Sequence, residues 1–172
     1  VFQIKLIDGQ INIDTEWPSL PVPLANATAS LLGDKIYVAG GQKSMEKPEA
    51  TNYFFVLDLN SPNKGWKELP SWPGEPRGYA VSTTQSDGFD KCFYLFSGRN
   101  YKADGYINTL TDGYAFNPRL NSWKKLKQSF PVMAGNALSC GANHILFLGG
   151  VPQLIPGSDD HPGFDNTIRL YH

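Results

Sequence analysis

Lys35-Ile36-Tyr37-Val38-Ala39-Gly40-Gly41 is the stretch of sequence that decides the fold. Residues 36–39 form an uninterrupted apolar run, which predicts a strand that is buried on both faces. The two glycines that follow allow the backbone to turn sharply where chains crowd together. The same pattern returns in Cys92-Phe-Tyr-Leu-Phe-Ser97-Gly98 and in His144-Ile-Leu-Phe-Leu-Gly149-Gly150, so this stretch is one copy of a repeat.

Three tryptophans head similar phrases and recur with the same spacing. The phrases are Trp17-Pro-Ser-Leu, Trp66-Lys-Glu-Leu and Trp123-Lys-Lys-Leu. Both the tryptophans and the glycine pairs repeat with a period of about fifty residues, which lies in the range of kelch-type repeats. Two independent markers with one period predict a repeat architecture. The alternative is a generic antiparallel sandwich in which the spacing is a coincidence.

Each repeat contains the same pieces in the same order. A strand of small and β-branched residues precedes the apolar strand, at residues 25–32, 78–85 and 134–141. A third strand follows at residues 53–58 and 113–116, and the tryptophan phrase supplies the fourth. Four short antiparallel strands make one blade of a β-propeller. The sequence therefore predicts an all-β fold of kelch-type β-propeller blades.

The chain is expected to be a single partial β-propeller domain over residues 1–172. Residues 1–17 are predicted to supply the outer strands of a preceding blade. Blades follow at residues 18–69 and 70–126, and a partial blade follows at 127–172. The count is about half a blade, two complete blades and part of a third. Because each blade buries its faces against its neighbours, we expect the remaining blades of the same ring as partners.

Composition and charge exclude several classes of function. The formal net charge of -1 predicts no general attraction to nucleic acid. No apolar stretch approaches the roughly 18 residues that a membrane helix needs. Cys92 and Cys140 lie in predicted strands and are expected to be buried free thiols rather than a disulfide. His144, His161 and His172 lack the spacing of metal ligands, so no metal is expected.

Three phrases resemble one known family. Leu20-Pro-Val-Pro-Leu24 resembles the start of the family's first blade, and GWKELPSWPGEPR at residues 65–77 resembles its first-to-second blade connection. YAFNPRLNSWKKL at residues 114–126, followed by Pro131-Val-Met-Ala-Gly135, resembles its second-to-third connection. The chain is thus similar to the kelch-repeat sialic acid mutarotases, also called N-acetylneuraminate epimerases, and especially to their cyclically permuted relatives.

This resemblance implies a six-bladed ring that interconverts the anomers of N-acetylneuraminate without a cofactor. The reaction needs one group to take the anomeric hydroxyl proton and another to protonate the ring oxygen. In the family the acid/base glutamate lies in a later blade, and no stretch here matches its motif. The catalytic residue is therefore expected outside this chain, and the chain alone is expected to be inactive. The resemblance also implies a periplasmic or secreted location.

Four residues are predicted to bind sialic acid or a related sugar, and three of them lie at blade starts. Arg77 follows Pro76 and is expected to point toward the channel mouth, where the resemblance supports binding of the sugar carboxylate. Arg99, which follows the Ser97-Gly98 pair at the start of a long loop, is the next candidate cation. Asn136 would hydrogen-bond sugar hydroxyls, and Gly135 would let the backbone approach the ligand. The alternatives are ion-paired surface arginines and ordinary turn chemistry.

Two functional classes stay open on the sequence. The first is the mutarotase or epimerase, and the second is a non-catalytic kelch propeller that binds a protein or glycan, because this architecture hosts both. Glu75 is a weaker candidate for acid or base, since a loop carboxylate is usually solvated. A glutamate with a nearby arginine on further blades would favour the enzyme.

Overall fold

The structure is a computed structural model that describes residues 3–44, 49–102, 105–127, 129–152 and 163–172. Within these ranges the chain is made of short antiparallel strands, and its helical content is the single 3₁₀ turn Pro62–Lys64. No helix in the described part is long and apolar enough to cross a membrane.

The first two strands form a separate hairpin. Strands β1 (Gln3–Ile7) and β2 (Gln10–Asp14) are joined by Asp8 and Gly9, both with positive φ. The register places four exposed aliphatic side chains on one face: Ile4, Leu6, Ile11 and Ile13. A hairpin with one apolar face is typical of strands that pack against a neighbouring sheet.

The first complete blade is a four-stranded antiparallel sheet. Its strands, paired in chain order, are β3 (Thr28–Leu32), β4 (Lys35–Ala39), β5 (Phe54–Asp58) and β6 (Lys67–Glu68). The central strands β4 and β5 are the most buried, as the apolar run at residues 36–39 predicts.

The second complete blade repeats this sheet and adds a small hairpin. Its four strands are β7 (Val81–Ser86), β8 (Lys91–Phe96), β11 (Gly113–Asn117) and β12 (Ser122–Lys125). Between its second and third strands lies an extra antiparallel pair that the sequence did not predict, β9 (Arg99–Tyr101) and β10 (Ile107–Thr109).

Three further strands form a partial blade. Strands β13 (Asn136–Cys140), β14 (His144–Leu148) and β15 (Arg169–Tyr171) pair in that order. The inner strand β7 of the second blade packs beside both β3 and β13. The described chain therefore has half a blade, two complete blades and part of a third, which confirms the predicted fold class.

Aromatic side chains fill the space between the two complete blades. Trp123 of the second blade lies against Phe54 of the first, with ring centroids 4.8 Å apart, and Phe54 contacts Phe93 at 5.3 Å. The indole N–H of Trp123 donates to the Pro70 carbonyl at 2.8 Å. The indole of Trp66 donates in the same way to Pro18 at 2.9 Å. The two tryptophans thus have similar roles in successive blades.

The two cysteines are free, but their surroundings differ. Cys92 is buried in the core, and this burial, reinforced by the Asp87 carboxylate, raises the pKa of its thiol to about 12. Cys140 is exposed, so the prediction of a second buried thiol is wrong. The alternation of β13 turns Cys140 to the side of the partial blade that faces away from the second blade.

Candidate functional site

The starts of the three blades are linked by a chain of backbone hydrogen bonds. Asn26, Tyr79 and Ala134 all have positive φ, at 56°, 55° and 50°. The Tyr79 N–H donates to the Asn26 carbonyl at 2.9 Å, and the Ala134 N–H donates to the Tyr79 carbonyl at 3.0 Å. Each predicted first strand therefore begins two or three residues late, because its first residues form this inter-blade link. These residues stand one or two positions before the stretches that line the cavity between the inner strands, and we call this edge of the cavity the channel mouth.

A second ring of residues stands directly after the small-residue pairs. Gln42, Arg99 and Val151 form single antiparallel bridges to the blade starts at Ala25, Gly78 and Met133. In each of the two complete blades, the side chains of the two rings contact each other. In the first blade the Asn26 amide donates to the Gln42 amide oxygen at 2.7 Å. In the second blade the Arg99 guanidinium lies over the Tyr79 ring, with its central carbon 4.2 Å from the centroid.

Arg99 has the properties of an anion-binding residue at this mouth. Its guanidinium also lies 5.8 Å from the Tyr101 ring centroid, so two aromatic faces hold a half-buried cation in place. Its Nε is buried and has no hydrogen-bond partner among the described residues. A buried donor without a partner is costly. Because the residue as a whole is only half-buried, the rest of the guanidinium can meet an anionic ligand.

Arg77 does not point into the channel mouth, and that expectation is wrong. Its side chain is fully buried, and its guanidinium donates to both carboxylate oxygens of Asp112, at 2.9 and 3.2 Å. Further bonds reach the carbonyls of Ser97, at 2.9 Å, and Glu75, at 3.2 Å. Arg77 is buried because of its position in the repeat. Val132 occupies the same position in the next blade and is also buried. Arg77 matches the ion-paired alternative, although at a buried site.

The Arg77–Asp112 pair sits where the two complete blades meet. The Arg77 backbone bonds to the first blade, donating to the Thr51 carbonyl at 3.0 Å and accepting from Gly41 at 2.8 Å. Asp112 also accepts a hydrogen bond from the Tyr114 hydroxyl at 2.6 Å. Burial alone would raise the pKa of Asp112, but the bonds from Arg77 and Tyr114 outweigh it and hold that pKa below its ordinary value.

Asn136 and Gly135 lie on the wall of an axial cavity of about 300 Å³. The inner strands β3 and β7 supply the other walls of this cavity, so the structure brings the two predicted residues together with both complete blades. Gly135 also packs tightly. An added Cβ would lie 3.2 Å from the Gly149 carbonyl oxygen, so the glycine is needed for packing as well. The role of either residue in binding a sugar stays a prediction.

Glu75 lies beside the channel mouth and is hydrogen-bonded to the β9–β10 hairpin. One of its carboxylate oxygens accepts hydrogen bonds from Asn100 at 2.8 Å and from Asn108 at 3.3 Å. The two asparagines also bond to each other at 2.9 Å. The carboxylate is exposed, and its contacts orient it at the rim of the second blade.

Two histidines that are far apart in sequence meet on the partial blade. The nearest ring nitrogens of His144 and His172 are 3.1 Å apart. His161 lies outside the described residues. Across the part of the chain that the structure describes, no three His, Cys, Asp or Glu side chains are grouped so as to hold a metal ion.

The fold and the mouth together define a class of protein, a kelch-type β-propeller with a polar, arginine-bearing channel mouth. A family model described as N-acetylneuraminate epimerase matches residues 17–157. The N-acetylneuraminate epimerase of Haemophilus influenzae strain PittEE is 34% identical over 140 residues, covering 78% of this chain and 33% of that protein. The chain belongs to the N-acetylneuraminate epimerase family.

Other relatives agree with this assignment. A Kelch domain-containing protein of Vibrio cholerae is 32% identical over 136 residues, covering 77% of this chain and 35% of that protein. The N-acetylneuraminate epimerase of Escherichia coli strain K12 is 30% identical over 139 residues, covering 80% and 35%. The solved structure of YjhT superposes with a TM-score of 0.62 at 25% identity, covering 80% of this chain and 37% of that one. The chain spans about a third of the length of these relatives.

Sequence reasoning missed two residues of this region. Tyr79 is the aromatic platform under Arg99, and Asp112 is the counter-ion of Arg77. The repeat contains a signal for Tyr79, because it occupies the same position as Asn26 and Ala134. Asp112 has no comparable signal, since its pairing depends on which way the Arg77 side chain turns.

Proposed function

We propose that this chain supplies part of the substrate site of an N-acetylneuraminate epimerase, which interconverts the α and β anomers of the free sugar acid. The observation that carries the proposal is Arg99, a half-buried cation held over Tyr79 at the channel mouth, whose Nε has no hydrogen-bond partner among the described residues. Family membership supports the substrate class. The carboxylate of the sugar would lie against the Arg99 guanidinium, which offers two parallel donors to such a group.

The proposed chemistry needs no cofactor. Opening the pyranose ring removes the proton of the anomeric hydroxyl and adds one to the ring oxygen, and closure on the other face reverses these transfers. Holding the carboxylate next to the anomeric carbon fixes both oxygens relative to the wall of the site. We propose that the acid/base glutamate comes from another part of the complete protein, and that the protein is periplasmic or secreted.

A non-catalytic propeller that binds a protein or glycan is the second candidate. It would use the same channel mouth, since propellers of this architecture serve both purposes. The two candidates differ in one observable, the rate at which the bound sugar changes its anomeric form.

Proton NMR of freshly dissolved N-acetylneuraminate tests the proposal. With catalytic amounts of the full-length gene product, the anomer signals should approach equilibrium faster than in buffer at the same pH. Heat-inactivated protein is the control, because it carries the same buffering groups. Binding of the sugar without any acceleration would favour the non-catalytic propeller and contradict the epimerase.

A further inference from the structure

A small network of hydroxyl groups joins the inner strands of the two complete blades. The Ser82 Oγ on β7 lies 2.7 Å from the Thr28 Oγ1 and 2.8 Å from the Ser30 Oγ, both on β3. One step further along the strands, the Thr84 hydroxyl donates to the Leu31 carbonyl at 3.2 Å. Side chains of this kind line the innermost strands, where the blades stand beside the axis.

These hydroxyls open onto the axial cavity of about 300 Å³ that Asn136 also lines. The wall they form is polar, although Val81, on the opposite face of β7, belongs to the apolar core between the second blade and the partial blade. Thr28, Ser30 and Ser82 are half-buried, so each can reach a molecule in the cavity. The wall of the cavity therefore carries hydroxyl groups, whereas the cores between blades are apolar.

The network leaves hydrogen-bonding capacity unused. Each hydroxyl has one donor and two acceptor positions. The two bonds around Ser82 use two of the three donors and two of the acceptor positions, and either oxygen can be the donor in each bond. One donor and several acceptor positions remain available, and the direction of the bonds can adapt. Such a surface suits a ligand that itself carries several hydroxyls, since each of them is both donor and acceptor.

We infer that this hydroxyl wall binds the polyhydroxylated side chain of the sugar acid, the three-carbon chain on the ring carbon that lies across the ring oxygen from the carboxylate-bearing carbon. The inference rests on the proposed function, because it presumes that Arg99 holds the carboxylate at the mouth. The carboxylate then stays at the rim and the hydroxyl-bearing chain extends along the inner strands. Thr28, Ser30 and Ser82 determine specificity for the full-length side chain.

Two ligands and three variants test the inference in the full-length gene product. The ligands are N-acetylneuraminate and its analogue in which the three-carbon side chain is shortened to a single hydroxymethyl group. Ser82→Ala should weaken binding of the complete sugar by about threefold to tenfold, because it removes the hydroxyl shared by both bonds. Affinity for the shortened analogue should be unchanged. Ser82→Thr keeps a hydroxyl, so it should retain much of the difference in affinity between the complete and the shortened sugar. Ser122→Ala, on the outer strand β12, should change neither affinity.

The outcomes separate this inference from the proposed function. Equal affinity of wild type and Ser82→Ala for the complete sugar, or equal losses for both ligands, would overturn the hydroxyl wall alone. Failure of the wild-type protein to bind either ligand would overturn the proposed function, and the inference with it. Circular dichroism of Ser82→Ala shows whether the blade has folded, and a misfolded variant is replaced by Thr28→Val, for which the same pattern is expected.

Discussion

Replacing Arg77 by alanine should lower the free energy of unfolding by about 3–5 kcal/mol, the usual cost of leaving one member of a buried ion pair without its partner. Arg77 has no exposed surface and makes four hydrogen bonds, two of them to Asp112. The change would leave the Asp112 carboxylate without its counter-ion and would open a cavity beside Trp72 and Tyr114, whose rings flank the guanidinium. Urea denaturation followed by tryptophan fluorescence measures the loss.

Two further variants distinguish the effect of breaking this buried ion pair from the effect of removing any arginine. Arg119→Ala removes an arginine that pairs with Asp90 at the surface, and it should leave the unfolding free energy nearly unchanged because water screens that pair. The double variant Arg77→Met with Asp112→Asn removes both charges and should recover part of the loss. Equal stability of Arg77→Ala and wild type would contradict the buried pair.

The same pair gives a pH dependence with a definite sign. The folded-state pKa of Asp112 is lowered, so its contribution to stability is present above the ordinary carboxyl pKa of about 3.9. That contribution is lost as the pH falls through the lowered folded-state pKa. The stability difference between wild type and Arg77→Ala should therefore be largest near neutral pH and should shrink in acid. A difference that grows in acid would mean that Asp112 is not the partner.

Gly40→Ala should destabilise the protein by about 2–5 kcal/mol, from the left-handed backbone and from overpacking together. Gly40 has a φ of 68°, and an added Cβ would overlap the carbonyl oxygen of Arg77 in the next blade. Ser97 stands at the same place in the second blade with a φ of 52°, so the backbone conformation alone tolerates a side chain there. The close approach of the neighbouring blade is what requires glycine at residue 40.

Gly33→Ala is the matched control for this substitution. Gly33 has a φ of 59° in the β3–β4 turn and has no atom within 4 Å of the added Cβ. The Gly33→Ala substitution should lower the free energy of unfolding by only about 1–2 kcal/mol, the cost of a side chain in the left-handed backbone conformation. Thermal unfolding of the two variants in parallel gives the difference directly. Equal losses would show that the first and second blades do not meet at Gly40.

The fold could be predicted because its signals are local and repeated. The apolar run at residues 36–39 and the phrase headed by Trp66 each recur once per blade, and the structure places them on the same strands in both complete blades. Asp8-Gly9 was also a reliable turn signal, because its positive φ values suit these residue types. The β9–β10 hairpin has no counterpart in the described parts of the other blades, so no repeated signal predicts it.

The site was harder to predict because it depends on side-chain direction. Arg77 and Arg99 both stand near a blade start, and sequence position alone ranked Arg77 first. The structure buries Arg77 against Asp112 and leaves Arg99 at the mouth over Tyr79. The choice between them depends on a carboxylate 35 residues away in the chain and on how the blades pack. Neither is visible in a single sequence.

The central claim is that the mouth formed by these blades binds a sugar carboxylate through Arg99, and calorimetry tests it most directly. The full-length gene product should bind N-acetylneuraminate about tenfold to a hundredfold more tightly than its methyl ester, the usual strength of a hydrogen-bonded charge. Arg99→Met keeps a long side chain on Tyr79, and it should bring the two affinities close together. A variant that still prefers the acid as strongly as the wild type would contradict the claim.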